Sequence, residues 1–219
     1  MAPLKDHILL KVAGSYKGSV TTDELIPSGE ASSYRSNPEK ISGFTMISRD
    51  PEYVGRAKAL RTIETALNLD KKAGNITLGS IMISDQIGDG SSREQAASCQ
   101  KVLGGFANLA NEYSTKRYRS NLINWGILPL RTEEPLDIPV GTYLFISDIK
   151  EILSSNRSEV EIQILNDKFD IYTENDIKNL NLSEIESYAI NTIKATLDVL
   201  TDEERNILLS GCLINHYKG

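Results

Sequence analysis

The sequence predicts an α/β domain that ends in a helical C-terminal extension. Three observations carry that expectation. Short β-branched apolar runs recur at 8–12, 76–84 and 141–149, each with the length of a buried strand. Between them lie segments whose apolar residues fall at spacings of three and four, the helical period. Strand, loop, helix and strand alternate along residues 1–150, which read as the domain core. Residues 151–219 change in pattern and in charge, and read as a β-hairpin and helical extension of the same domain.

Residues 8–12 (ILLKV) are expected as the first strand. Residues 13–43 are rich in Gly, Ser, Pro and Thr and read as a long loop, which in a compact domain is functional or disordered. A helix is expected over 50–74, with Ala57, Leu60, Ile63, Ala66 and Leu67 inward and Gly74 past its end. Residues 76–84 (ITLGSIMIS) are the next strand. They lead into a turn and a helix with Ala96, Cys99 and Leu103 on one face, stopped at Gly104 and Gly105. Ala96 and Ala97 are small enough to let that helix lie close on a sheet. Residues 119–130 (RSNLINWGILPL) read as a short helix or turn entering an apolar strand end, and 141–149 as a further strand. In the last third, 159–165 and 168–173 both alternate, and Asn166–Asp167 between them predicts a hairpin. Ser183 with Glu186, and Thr201 with Glu204, have capping-box spacing. They are expected to open one helix with Ile185, Ala189, Ile193 and Leu200 inward and another with Ile207 and Leu208 inward.

The 219 residues suit one domain of ordinary size. With a net charge of −6, the chain has no basic footprint for nucleic acid. No apolar run is long enough to span a membrane, and the first residues do not read as a signal peptide. The charge is uneven: 151–219 holds 13 acidic and 6 basic residues, a net of −7, whereas 1–150 nets +1. The arginines of the first part are therefore free to meet an anion. Cys99 and Cys212 belong to no metal-binding spacing and read as small buried hydrophobes. A reduced, cytoplasmic compartment is the simple expectation for two such thiols.

Two polar stretches stand out. In GDGSSREQAAS (88–98), Ser91 and Glu94 fit S-x-x-E, a capping box in which Ser91 accepts from the Glu94 amide and Glu94 reaches back. The same geometry also makes an anion site. Gly88 and Gly90 admit a ligand to the backbone, the helix N-terminus favours negative charge, and Arg93 adds a bidentate clamp. In TTDELIPSGEASSYRSN (21–37), Asp23 and Arg35 read either as solvated loop residues or as a pair in which Asp23 orients Arg35 toward a carboxylate.

Taken together, three blocks are similar to the C-terminal swivelling domain of the aconitase family. They are GSVTTDELIPSG (18–29), GDGSSREQAA (88–97) and RSNLINWGILPL (119–130), in family order over more than half the chain. The resemblance implies a swivelling β/β/α sandwich with mostly parallel strands. It implies dehydration and rehydration of a hydroxy tri- or dicarboxylic acid at a 4Fe–4S cluster held by other domains, with none bound by this chain. By the same resemblance Ser91 is the serine that removes and returns the substrate proton. Ser92 and Arg93 bind substrate carboxylate beside it, Asp23 is the loop aspartate, and Arg35 has the spacing of a second carboxylate-binding arginine. Glu24 and Gln95 stand where the family usually has histidine, and Ile26 where it often has serine; these departures bear on the substrate.

No cysteine triplet for a cluster is present, so the resemblance implies partners: the remaining aconitase-type domains, or a large subunit. The alternatives are the small subunit of a two-chain 3-isopropylmalate or homoaconitate isomerase, and a non-catalytic carboxylate-binding module. The Gly-Asp-Gly lead-in at 88–90 and the long tail favour the aconitase-like enzyme.

Overall fold

A mixed sheet of three parallel and four antiparallel strand pairs organises the chain. Its computed structural model describes residues 2–27, 33–34, 36–69, 75–171 and 181–218. Strands β1 (His7–Thr21), β2 (Ile76–Asp89), β3 (Gly105–Tyr113) and β4 (Leu128–Arg131) lie parallel and in sequence order. Strands β5 (Tyr143–Ile146), β6 (Glu159–Leu165) and β7 (Ala189–Thr196) close the ring in the spatial order β4-β7-β6-β5-β1, through antiparallel pairs alone. Closure at β4 and β7 is a single pair, Arg131 opposite Thr196.

Alternate residues of all the strands fill the ring's interior, as expected for a small closed sheet. They include Ile8, Leu10, Ile81, Ile83, Leu109, Leu130, Leu144, Val160, Ile162 and Ile193. Helices α6 (Ile149–Ser154) and α8 (Asp202–Leu209) add Ile152, Leu153, Ile207 and Leu208 to this cluster. On the outer face of the parallel half, α1 (Thr22–Leu25), α2 (Pro38–Ser42), α3 (Tyr53–Leu69), α4 (Arg93–Val102) and α5 (Lys116–Asn124) contribute to a second cluster, which includes Met82, Ala96, Ala97, Cys99, Ala110 and Leu122. Strand β2 is thus buried on both faces, which is why its sequence reads as one apolar run instead of alternating. A third cluster, with Leu9, Leu78, Phe145, Phe169 and Ile185, covers another part of the outside. Two further helices, α7 (Leu182–Ser187) and α9 (Leu213–Lys218), complete the described elements.

Ala96, Ala97 and Cys99 are wholly buried beneath α4, as their spacing predicts, and Ala57 and Leu60 are buried on α3. The side chains of Ile63, Ala66 and Leu67, and residue Gly74, lie outside the described residues. Thr201 and Glu204 form the expected capping box at α8.

Four expectations are corrected. Residues 13–21, read as loop, continue β1, paired with β2 from Gly14 opposite Met82 to Thr21 opposite Asp89. Ladder pairing outweighs a Gly- and Ser-rich composition there. Strand β3 was not expected at all. Its outer face carries Asn108, which is buried in a bonded group with Gln100 and Tyr118, so the polar signal hid the strand. The hairpin at 166–167 does not form. Strand β6 pairs with β5 and β7, and no strand occupies 168–171, while 172–173 lie outside the described residues. Phe169 instead turns into the outer cluster, edge-on to Tyr143 at 5.1 Å and Tyr188 at 5.3 Å. Finally, the long helix from Ser183 is a short one, α7, capped by Asn181, whose Oδ1 accepts from the Glu184 amide at 2.7 Å. Residues 189–196 are strand β7. A spacing of four is a multiple of both periods, so Ala189 and Ile193 fit a helix on paper and a strand in space.

Candidate functional site

The parallel order of β1 and β2 decides where the two polar stretches go. Thr21 ends β1 and lies opposite Asp89, which ends β2. The segments that follow, α1 with Asp23 and the Ser91–Arg93 turn, therefore leave the sheet side by side at the carboxyl ends of parallel strands, where open α/β sheets bind ligands.

Gly90 sets how close they come. Its φ is +121°, and a Cβ built there would sit 2.1 Å from Thr22 Oγ1. Gly88, at φ +96°, is equally confined: a Cβ would sit 2.1 Å from the Tyr118 ring. The two glycines let the strand end turn between α1 and α5 without a side chain in the way. Tyr118 is itself anchored, donating to Gln100 Oε1 at 2.9 Å, and burial pushes its hydroxyl pKa up so that it stays a donor.

α1 starts with a capping box that the sequence reading overlooked, although Thr21-Thr22-Asp23-Glu24 has the T-x-x-E signature. Thr21 Oγ1 accepts from the Glu24 amide at 3.2 Å, and Glu24 accepts from the Thr21 amide at 2.7 Å. Arg49 donates to Glu24 at 3.1 Å and to the Ser19 and Lys17 carbonyls at 2.7 Å each. Burial works to raise the Glu24 pKa, but the Thr21 bonds and Arg49 outweigh it and hold the carboxylate below its usual range. Glu24, a departure from the family pattern, is thus occupied in shaping the loop. Asp23 sits in the first turn of α1, exposed. Arg35 lies outside the described residues.

The Ser91–Glu94 capping box is not formed. The N-cap of α4 is Ser92, and its side chain makes no capping bond, which forgoes about 1 kcal/mol of helix stabilisation. Glu94 faces away from Ser91. It accepts from Trp125 Nε1 at 2.6 Å and from Asn121 Nδ2, both at the C-terminal end of α5. The second and third motif blocks are therefore joined by Glu94. Arg119, at the head of the third block, is turned elsewhere: it donates to the Leu197 and Val199 carbonyls at 3.0 and 3.2 Å and pairs with Glu204.

Three polar groups of the turn are left open. Ser91 is exposed and Ser92 half-buried, and neither hydroxyl makes a hydrogen bond among the described residues. Arg93 is half-buried and has no carboxylate partner among the described residues, and its Nε is buried with no acceptor. A buried unpaired donor is costly, and a cation in the first turn of a helix opposes the macrodipole. One bound anion would relieve both.

The residues present do not fit an iron–sulfur cluster, which needs several convergent thiolates. Cys99 is sealed under α4 and Cys212 is buried between α8 and α9. Burial pushes the Cys99 thiol up to about 12, away from the thiolate a metal requires. Among the described residues, no three His, Cys, Asp or Glu side chains converge on a metal position. No helix among them is long and apolar enough to cross a membrane.

Residues 29–135 match the family model for the aconitase C-terminal domain. The mitochondrial aconitate hydratase of Candida albicans is 30% identical over 142 residues, covering 61% of this chain and 18% of that protein. The mitochondrial homocitrate dehydratase of Saccharomyces cerevisiae is 27% identical over 172 residues, covering 74% of this chain and 21% of that protein. This chain thus spans about a fifth of the length of these curated relatives. Both are mitochondrial by name, so they lend the expected cytoplasmic compartment no support. A solved 3-isopropylmalate dehydratase from Methanocaldococcus jannaschii shares the fold, with a TM-score of 0.56 at 23% identity over 97% of this chain and 93% of that one. Over residues 29–135 the chain is therefore similar to the aconitase C-terminal domain.

Proposed function

We propose that this chain supplies one wall of a hydro-lyase active site that dehydrates and rehydrates a hydroxy tri- or dicarboxylic acid. The observation that carries the reading is Arg93: a cation with a buried, unbonded Nε and no carboxylate partner among the described residues, next to the Ser91 and Ser92 hydroxyls, which bond nothing among those residues. In this reading Arg93 and Ser92 hold a substrate carboxylate, with Arg35 binding a second one and Asp23 orienting the loop. Ser91, its alkoxide stabilised by the donors around it, takes the proton next to the held carboxylate and returns it on rehydration. The charge that builds on that carboxylate is met by a guanidinium and by first-turn amides already in place. The 4Fe–4S cluster of the family belongs, on this proposal, to the other domains or to a large-subunit partner. Residues 151–219 act as an extension of the same domain.

The test is tricarballylate titration of the chain, followed at the Arg93 guanidinium by NMR. Saturable binding that Arg93→Ala removes supports the reading; binding unchanged by that substitution would remove Arg93 from the site. A second reading, the small subunit of a two-chain isomerase, is supported by the fold this chain shares with the M. jannaschii 3-isopropylmalate dehydratase. Reconstitution with a separate large subunit, as opposed to the upstream domains of an aconitase, distinguishes the two.

A further inference from the structure

Ser91 sits in a sequence that should consume it. Ser91-Ser92-Arg93-Glu94 is a complete capping-box signature, in which the Ser91 hydroxyl would accept from the Glu94 amide and the Glu94 carboxylate would bond the Ser91 amide. The structure starts the helix one residue later. Ser92 is the N-cap, in a conformation (φ −86°, ψ 40°) outside the extended region that N-caps favour, and without a side-chain bond. Local chemistry alone does not choose this start.

The Glu94 carboxylate explains it. Trp125 Nε1 donates to one of its oxygens at 2.6 Å and Asn121 Nδ2 to the other. Drawn to α5 through both oxygens, the Glu94 carboxylate makes no bond to the Ser91 amide among the described residues. α5 is itself held in register by its Thr115 cap, which accepts from the Tyr118 amide at 3.1 Å, and by the ring of Tyr118 packed against Gly88.

We propose that Asn121 and Trp125 are positioning residues. By holding Glu94, they move the N-cap from Ser91 to Ser92 and keep the Ser91 hydroxyl free for chemistry. The inference rests on the reading of Ser91 as the reactive group, but its structural half stands apart from that reading. Neither residue touches the reacting atoms; both act through Glu94. When the clamp is removed, the capping box forms and takes the hydroxyl.

NMR of the full chain tests this by locating the helix start. In the wild type, helical Cα shifts begin at Arg93 and the Ser91 amide exchanges freely. In Asn121→Leu/Trp125→Phe the start moves to Ser92, and exchange of the Ser91 amide slows at least about 10-fold, the protection that a bond present about nine-tenths of the time gives. Adding Glu94→Ala to that double variant restores free exchange, because no carboxylate is left to close the box; a merely structural role for the pair would show no such rescue. Trp125→Phe alone, which keeps an aromatic ring in place, gives an intermediate shift and serves if the double variant does not fold. A helix start that stays at Arg93 in the folded variants overturns the proposal, as does protection that survives Glu94→Ala. Tricarballylate titration of the same samples reports separately on the site. If the wild type shows no response at Arg93, the carboxylate reading fails while the helix-start result still decides the clamp.

Discussion

The indole Nε1 of Trp125 donates to the carboxylate of Glu94 at 2.6 Å. That bond joins the turn carrying Ser91, Ser92 and Arg93 to the helix of the third motif block. Trp125 is the chain's one tryptophan, so its emission reports on this turn. Tricarballylate bound at Arg93 is expected to change the intensity or wavelength of Trp125 fluorescence saturably, and Arg93→Ala to abolish the change. A response that persists in Arg93→Ala would place the anion elsewhere.

Ser91→Ala is expected to leave the fold intact, since Ser91 is exposed and its hydroxyl bonds nothing among the described residues. In an enzyme completed by its missing domains or subunit, turnover should fall by at least the ~10²–10⁴ typical of a lost acid–base group. Near-normal turnover would sink the assignment of Ser91 as base.

Gly90→Ala combines a left-handed backbone with a contact 2.1 Å from Thr22 Oγ1. Urea unfolding should show a loss of about 1–3 kcal/mol, the scale of strain at such positions. The separation between α1 and the Ser91–Arg93 turn must also widen, so carboxylate binding should weaken beyond what the stability loss accounts for. An unchanged midpoint would mean the turn relaxes without cost.

Asn108→Leu removes the centre of a buried polar group: Gln100 bonds Asn108 in both directions, at 3.2 and 3.3 Å, and Tyr118 donates to Gln100. Gln100 would lose partners in a place water does not reach. A destabilisation of about 1–3 kcal/mol follows from leaving such groups unpaired, seen as a lower Tm.

The capping box at α1 predicts a pH dependence. The folded-state pKa of Glu24 is depressed below its ordinary 4.5. Its contribution to stability is therefore fully present above that value, and is lost as pH falls from there through the lowered folded value. Glu24→Gln should flatten that part of the stability profile and leave stability at neutral pH lower by a fraction of the roughly 1 kcal/mol typical of a cap. A profile identical to that of the wild type would show that Glu24 is not held by Thr21 and Arg49.

Much of the architecture is legible where one period dominates. The β2–turn–α4 unit reads directly, because β2 is continuously apolar and Ala96, Cys99 and Leu103 repeat at helical spacing. So does Thr201–Glu204 at α8. The errors fall where a segment's neighbours, and not its own pattern, decide. Residues 13–21 became strand because β2 lies alongside. β3 was hidden because its Asn108 is satisfied by residues on two other elements. Ala189 and Ile193 satisfied both periods until β6 selected the strand. The candidate site divides in the same way: Ser91, Ser92, Arg93 and Asp23 were found as residue types in a suggestive order, whereas Arg49, Asn121 and Trp125 were missed because their roles exist only across the fold.

The sequence by itself determined that a glycine-flanked turn with two serines and an arginine would lead from a buried strand into a helix, and that the chain lacks the thiols for a cluster. Only the tertiary structure decided which serine starts that helix. A capping box is a contest for one carboxylate, and two donors from a helix more than 25 residues further along the chain outcompete the amide three residues away. Local chemistry made Ser91 a cap; packing left it a free hydroxyl.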